Sequence, residues 1–237
     1  MSFPGAYSVK RGCVGVAVAI AAGVLAACAS TGTVAPSPAD AVAAPPPPPP
    51  PPNVSVLADW RSLITPMDRD RYQRREAAWT VALEQAHRLG GSGDLNALGA
   101  LIDPDATLND PLLPEGNYRC RTVKLGASSE DSDLGYVVYG WFACRITRTD
   151  EGLRLTKLTG SQRVQGIFYP ENQTHMVLLG AMALANEARA PEYASRPDRD
   201  VVSVLERIGP QHWRVVTPWP QVESNLDILE LVPSTSR

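Results

Sequence analysis

The stretch from Tyr136 to Leu184 decides the fold, and it reads YVVYGWFACRITRTDEGLRLTKLTGSQRVQGIFYPENQTHMVLLGAMAL. Segments of roughly 7 to 11 residues, rich in Val, Ile, Leu, Tyr, Thr and Trp, alternate here with turn-forming residues, a pattern typical of β-strands. Thr149–Gly152 and Pro170–Asn172 have the composition of tight turns. Because short connections favour antiparallel pairing of consecutive strands, the sequence predicts an antiparallel meander.

The same pattern continues on both sides of this stretch, with a further turn at Gly209-Pro210. About eight strands are predicted: Tyr118–Leu125, Tyr136–Thr147, Leu153–Thr159, Arg163–Tyr169, His175–Leu184, Val201–Ile208, Trp213–Thr217 and Leu226–Val232. Eight strands are enough to close a barrel.

Helical periodicity precedes the strands. Thr65–Asp68 combines a capping hydroxyl, a first-turn proline and an acidic residue, which is a helix start. One apolar helical face follows, formed by Tyr72, Trp79, Leu83, Ala86 and Leu89. Gly90-Gly91 ends this helix, and a short second helix is predicted from Asp94 to Ile102. The predicted fold class is therefore α+β, a short N-terminal helical segment followed by an antiparallel β-meander of about eight strands.

The N-terminus has the organisation of a signal peptide. Lys10 and Arg11 precede an apolar run from about Val14 to Ala27. This run of roughly 14 residues is shorter than the roughly 20 that a transmembrane helix needs. Residues 1–27 are therefore predicted to be removed after export.

The end of this segment, Leu25-Ala26-Ala27-Cys28, resembles the lipobox of bacterial lipoproteins. The resemblance implies cleavage before Cys28 and acylation of that cysteine, which would anchor the protein to the membrane through lipid. By the same resemblance, Ala29 after the cysteine favours the outer membrane and a domain on the periplasmic side. The alternative is an ordinary secretory signal in which Cys28 is incidental.

Residues 28–55 are predicted to be a linker, and residues 56–237 a single periplasmic domain. The linker contains the unbroken proline run Pro45–Pro52. Eight prolines form a polyproline II rod of roughly 25 Å, at about 3.1 Å per residue. We interpret this rod as a spacer between membrane and domain; a docking site for a proline-binding module is the alternative.

The charge of the chain excludes one class of partner. The full sequence has a formal net charge of −3, and loss of Lys10 and Arg11 with the signal peptide would make it −5. Because the chain is mildly acidic and has no basic run, nucleic acid is not an expected partner.

Two cysteines, Cys120 and Cys144, remain once Cys13 is removed and Cys28 is acylated. In an oxidising compartment the expected state is a disulfide, with two free buried thiols as the alternative. No metal site is predicted, because two cysteines are too few for zinc and the three histidines have no ligand spacing.

Several motifs in order along the chain resemble a family of bacterial envelope lipoproteins known only as a domain of unknown function, DUF4893. The motifs are Ala58–Arg61 (ADWR), Tyr118–Arg121 (YRCR), Lys124–Gly126 (KLG), Trp141–Phe142 (WF), Cys144–Ile146 (CRI), Lys157–Arg163 (KLTGSQR) and Leu205–Pro210 (LERIGP). The resemblance covers about Ala58 to Pro233. It implies no activity, because the family has no assigned catalytic residue.

No catalytic residue and no cofactor are predicted from motifs. There is no Gly-x-Ser-x-Gly, and the serines of Gly91-Ser92-Gly93 and Gly160-Ser161 have no histidine nearby in sequence. Phosphate-binding glycine loops are absent as well. The acidic cluster Glu130–Asp133 lacks the spacing of a calcium loop and is interpreted as a solvated hairpin tip.

The predicted strands carry a basic set that contains the candidate binding site: Arg119, Arg121, Lys124, Arg145, Lys157 and Arg163. Strand alternation places Arg119 and Arg121 opposite Cys120, and a disulfide between neighbouring strands would place Arg145 on that same face. Three guanidiniums on one face suit a carboxylate or a phosphate. The alternative is a solvent-facing set paired with Asp and Glu side chains. If the face lies inside a barrel, the arginines must be paired, and the candidate partners are Asp198, Asp200, Glu206, Asp227 and Glu230.

These observations favour a non-enzymatic, lipid-anchored binding or interaction module of the cell envelope, whose partner is a small ligand or an envelope protein. A hydrolase with a site assembled only in the fold is one alternative, and a structural subunit of an envelope complex is another. An enclosed apolar cavity would favour ligand binding, a Ser–His pair or paired carboxylates in a cleft would favour hydrolysis, and a flat apolar patch would favour a subunit.

Overall fold

A computed structural model describes residues 58–129 and 134–234. The predicted signal peptide, Cys28, the proline linker and the acidic cluster Glu130–Asp133 lie outside these residues. The described elements before the barrel are α1 (Trp60–Leu63), α2 (Pro66–Gln73), α3 (Arg75–Leu89), the short strand β1 (Gly91–Ser92) and a 3-10 helix (Asn96–Leu101).

Eight further strands follow in the described part of the chain: β2 (Gly116–Leu125), β3 (Tyr136–Thr149), β4 (Gly152–Lys157), β5 (Gln162–Pro170), β6 (His175–Leu184), β7 (Asp200–Gly209), β8 (His212–Pro218) and β9 (Leu226–Pro233). Each pairs antiparallel with the next, and β9 pairs antiparallel with β2. The eight strands therefore form a closed up-and-down barrel, which confirms the predicted α+β class and meander.

One end of the barrel interior is filled by apolar and aromatic side chains. Tyr118 and Trp213 pack edge to face, with ring centroids 6.3 Å apart. Phe168 and Leu155 belong to the same core cluster, and both are fully buried. These side chains fill the lumen at this end of the barrel.

The helices cover part of the outer surface of the barrel. α3 presents the buried small residues Ala78, Ala82 and Ala86 at a spacing of four, which lets its backbone approach β2, β8 and β9 closely. α1 and α2 cover a second patch, where Trp60 packs with Val177 and Val202 of β6 and β7. Strands β2, β7, β8 and β9 are thus buried on both faces over part of their length.

The local helix signals are confirmed with two refinements. The side chain of Thr65 caps α2 by accepting from the Asp68 N–H, and Gly90 ends α3 with a φ of 72°. The predicted first helix is divided at Arg74, whose ψ of 14° interrupts the helix. The predicted second helix is a 3-10 helix instead, and Gly99 within it has a φ of 49°.

The disulfide between Cys120 and Cys144 is confirmed, with Cα atoms 5.8 Å apart. It joins β2 to β3 diagonally, because Cys120 lies opposite Phe142 and Cys144 lies opposite Tyr118 in the strand register. Both cysteines are buried in the barrel core. The inward direction of these two residues defines which neighbours on β2 and β3 also face inward.

Candidate functional site

A cavity of about 320 Å³ occupies the end of the barrel away from Tyr118 and Trp213. Strands β2 and β4 to β9 all contribute to its wall, and exposed residues of the loops after β6 and β8 form its rim. The apolar part of the lining consists of Val164, Met182, Leu184, Val201, Pro220, Val222, Ile228 and Leu229. More of the exposed lining is apolar than polar, which is typical of a small-molecule site.

Lys124 of β2 is the first of two lysines in this cavity, and carboxylates neutralise it. Its Nζ lies 3.0 Å from Asp227 Oδ2 and 3.2 Å from Glu223 Oε2. Burial acts to lower the pKa of Lys124, but the two carboxylates outweigh burial and raise it. Lys124 is therefore a structural cation that joins β2 to β9 and to the loop before β9.

Lys157 of β4 is the second lysine, and no carboxylate lies within ion-pair distance of it in the described part of the chain. Its Nζ donates to the backbone oxygen of Gln162 at 2.9 Å and to Thr122 Oγ1 at 3.3 Å. The ring of Phe142 lies below it, 4.2 Å from Nζ to the centroid. Burial lowers the pKa of Lys157 to about 8, and the charge of Lys124 adds to this effect.

The buried charge of Lys157 should destabilise the protein at neutral pH. Its folded pKa of about 8 is below its ordinary 10.5, so the unfolded chain binds this proton more strongly. The cost is fully present below pH 8 and disappears as the pH rises towards 10.5. Lys157→Met should therefore raise the free energy of unfolding by roughly 2 to 3 kcal/mol at pH 7, with little gain above pH 10.5. Urea unfolding of both proteins across this range measures the effect, and a gain that does not depend on pH would contradict it.

The rim of the cavity near α2 is held by a buried polar cluster. Arg71 forms an ion pair with Asp68 at 2.9 Å and donates to the backbone oxygen of Asp200. Tyr193 donates its hydroxyl to Asp68 at 2.7 Å, which ties the loop after β6 to α2. Burial raises the pKa of Asp200, which lies in the cavity wall. This cluster positions the start of β7 and one side of the cavity mouth.

A family model with the description Domain of unknown function (DUF4893) matches residues 60–231, which is most of the chain. The chain belongs to the DUF4893 family. The match runs from α1 into β9, so the barrel, Lys124, Lys157 and Asp227 all lie within the DUF4893 domain. No curated protein matches the chain.

The outer face of the DUF4893 barrel carries the three arginines that the sequence analysis grouped together. Arg119 and Arg121 both contact the ring of Trp141, with guanidinium carbons 4.6 and 4.9 Å from the ring centroid. Arg145 is exposed and donates to Asn117 Oδ1 at 3.1 Å. All three face away from the disulfide, as strand alternation predicts. Anion binding by this face stays a prediction.

Only one of the five carboxylates named as candidate partners joins this arginine set. Glu230 forms an ion pair with Arg121 at 2.6 Å. The other four bind elsewhere: Asp227 with Lys124, Glu206 with Arg214, Asp198 with Arg196 and Arg199, and Asp200 with the backbone of Ala194. Arg121 is thus partly neutralised, while Arg119 and Arg145 have no ion pair among the described residues.

The histidines and serines of the DUF4893 domain form no hydrolytic constellation in the described ranges. His175 contacts Glu206 at 3.0 Å and His212 contacts Glu230 at 2.8 Å, but neither has a serine or cysteine among its hydrogen-bond partners. His87 contacts the backbone oxygen of Leu83. Within residues 58–129 and 134–234, no group of three or more His, Cys, Asp or Glu could hold a metal ion.

Within the same ranges, no helix is long and apolar enough to cross a membrane.

Lys124 and Lys157 belong to the same basic set in the sequence as the arginines, but strand alternation was applied there only to the arginines. The lysines and the arginines are separated by strand alternation and register, counted from the inward-facing cysteines. Lys124 is four residues after the inward-facing Cys120, and Lys157 lies opposite the inward-facing Cys144 in the register. Both lysines therefore face the barrel interior, whereas Arg119 and Arg121 face out.

Proposed function

We propose that this protein is a binding module of the cell envelope, and that it takes a small, largely apolar ligand into the barrel cavity. One observation carries the proposal, which is an apolar cavity of about 320 Å³ at the end of the barrel away from Tyr118 and Trp213. An apolar ligand of matching size would gain van der Waals contacts with this wall and would leave water, and both effects favour binding.

The two other function classes have less support. A hydrolase needs a nucleophile beside a base. The described His–Glu pairs have no serine or cysteine among their partners, and the one hydroxyl that contacts them, that of Thr174 at 3.3 Å from His175 Nδ1, lies outside the cavity lining. A structural subunit needs a broad apolar surface. Tyr139 and Trp141 share one face of β3, whereas the other large exposed hydrophobic residues among those described lie on other elements and loops: Leu63, Met67, Leu108, Leu112, Leu134, Leu158 and Val222. The cavity therefore supports ligand binding more directly than any described feature supports hydrolysis or a structural role.

A neutral apolar fluorophore tests this proposal. N-phenyl-1-naphthylamine should bind the purified full chain with an increase in fluorescence. Leu184→Trp places a larger side chain on the cavity wall and should weaken binding at least about tenfold, since the added atoms occupy the ligand's space.

Leu158→Trp is the matched control, because Leu158 is exposed and lies outside the cavity lining. It should bind the probe as the wild type does. Equal loss of binding in both variants, or no loss in either, would overturn the assignment of the cavity as the site.

We further propose that the domain is tethered by lipid on Cys28 to the periplasmic side of the outer membrane. The lipobox-like Leu25–Cys28 and the proline run Pro45–Pro52 support this proposal. Metabolic labelling with a fatty-acid probe should mark the wild type, and Cys28→Ala should remove the label completely. Label that survives this substitution would mean that the chain is not lipidated at Cys28.

A further inference from the structure

Lys157 and Lys124 line the same cavity, but they differ in the charge of the groups that contact them. Lys124 has two carboxylates within 3.2 Å, whereas the contacts of Lys157 are a backbone oxygen, a hydroxyl and an aromatic ring. None of these three groups carries a negative charge. A buried cation without a counter-ion is costly, and such cations in proteins are normally paired or shift towards the neutral form. Because none of the described carboxylates pairs with Lys157, the position next to its ammonium is where this cavity would favour an anionic group of a ligand.

We propose that the ligand carries a carboxylate group, and that this carboxylate pairs with the ammonium of Lys157 inside the barrel. The inference rests on the proposed function, because it names the chemical class of the ligand that the cavity takes. The apolar part of that ligand lies against Val164, Met182 and Leu229. The ligand class is thus an amphiphile with one carboxylate and one apolar chain.

The donors at Lys157 favour a carboxylate over a phosphate. An ammonium has three N–H groups, and Gln162 and Thr122 accept two of them. One N–H of Lys157 is left, and the hydroxyl hydrogen of Thr122 is available as a second donor beside it. Two donors and one positive charge match a singly charged carboxylate. A phosphate would bring up to two negative charges and more acceptors than this position satisfies.

The charged groups facing Lys157 are consistent with an anion at this position. Lys124 on β2 and Arg163 on β5 act on Lys157 as positive charges, and Asp227 on β9 acts as a negative charge. Asp227 is already paired with Lys124. Asp200 also lines the cavity, but it starts β7, which is three strands from β4 in the barrel circuit.

Three probes with the same chain length separate this inference from the proposed function. Octanoate, 1-octanol and octyl phosphate are titrated into the purified full chain by calorimetry at pH 7. Octanoate should bind at least about tenfold more tightly than 1-octanol, and Lys157→Met should remove this preference while it keeps 1-octanol binding. Since Lys157→Met is expected to stabilise the fold, loss of octanoate binding in a variant that unfolds at higher urea is not due to misfolding.

Arg119→Met is the matched control, because it removes one positive charge from the outer face and leaves the cavity intact. It should keep the wild-type preference. If instead Arg119→Met removes the preference and Lys157→Met keeps it, the anion binds outside the barrel and the inference is wrong.

The other outcomes of the titration separate the carboxylate assignment from the proposed function. Equal affinity for octanoate and 1-octanol would overturn the carboxylate assignment and leave the proposed function standing. Tighter binding of octyl phosphate than of octanoate would also overturn it. Binding of none of the three would contradict the proposed function itself.

In the wild type the affinity for octanoate should fall by up to about tenfold per pH unit above pH 8, as Lys157 loses its proton, and in Lys157→Met it should not.

Discussion

Replacing Arg214 with methionine should lower the free energy of unfolding by about 3 to 5 kcal/mol, because it breaks a buried ion pair by removing one partner. Arg214 is fully buried on β8, and its Nε donates to Glu206 on β7. Glu206 is itself buried, so the variant would leave a carboxylate whose remaining charged contact is His175. Urea unfolding at pH 7 measures the loss.

Arg214 also connects the helical segment to the barrel. Its guanidinium donates to the backbone oxygens of Ala100, Leu101, Asp103 and Pro104, at and just after the end of the 3-10 helix. It also lies 4.9 Å from the ring centroid of Trp79 on α3. The substitution therefore leaves several backbone acceptors without a donor, and each such buried group has its own cost.

Arg154→Met is the control for this prediction. Arg154 is exposed and pairs with Glu151 three residues away, and exposed pairs of this kind contribute less than about 1 kcal/mol. A loss below about 1 kcal/mol for Arg214→Met, equal to that of the control, would mean that the helical segment is not held to the barrel through this residue.

Removing the disulfide should lower the free energy of unfolding by about 3 kcal/mol. The bond closes a loop with a sequence separation of 24, and the chain-entropy relation gives this magnitude for such a loop. The double variant Cys120→Ala with Cys144→Ala is preferred to serine, because both positions are buried in the apolar core and a hydroxyl would lack a partner.

The wild type unfolded with and without reductant is the internal comparison for the disulfide. The reduced wild type and the double variant should lose similar stability, with a small difference for the missing sulfur atoms. Equal stability of the oxidised and reduced wild type would contradict a stabilising role for this bond.

Much of the fold was predictable because local chemistry and tertiary structure agree in this chain. The interior side chains of β4, Leu153 and Leu155, alternate with Arg154, which is the period of a strand buried on one face. Thr65 caps α2 with its side-chain hydroxyl and Gly90 ends α3 with a positive φ, and both are local effects that need no tertiary contact. The position of α1 was not predicted, because its four residues are too few for a helical period.

Closure of the barrel and the cavity could not be read from the sequence. Closure depends on the pairing of β2 with β9, whose residues are about a hundred positions apart along the chain. The cavity depends on how side chains from seven strands fill the lumen together. The arginine face was predictable from alternation, but the contrast between Lys124 and Lys157 was not. It depends on Asp227 and Glu223, which approach one lysine and not the other.

The central claim is that a ligand chain enters the barrel, and nuclear Overhauser contacts from bound octanoate test it most directly. Met182 lines the cavity, and its methyl group is a convenient probe when the methionines carry ¹³C-labelled methyl groups. Met67 is exposed on α2 and serves as the reference outside the barrel. The account predicts contacts between octanoate chain protons and the Met182 methyl group, and none to Met67. Saturable octanoate binding without a contact to Met182 would contradict it.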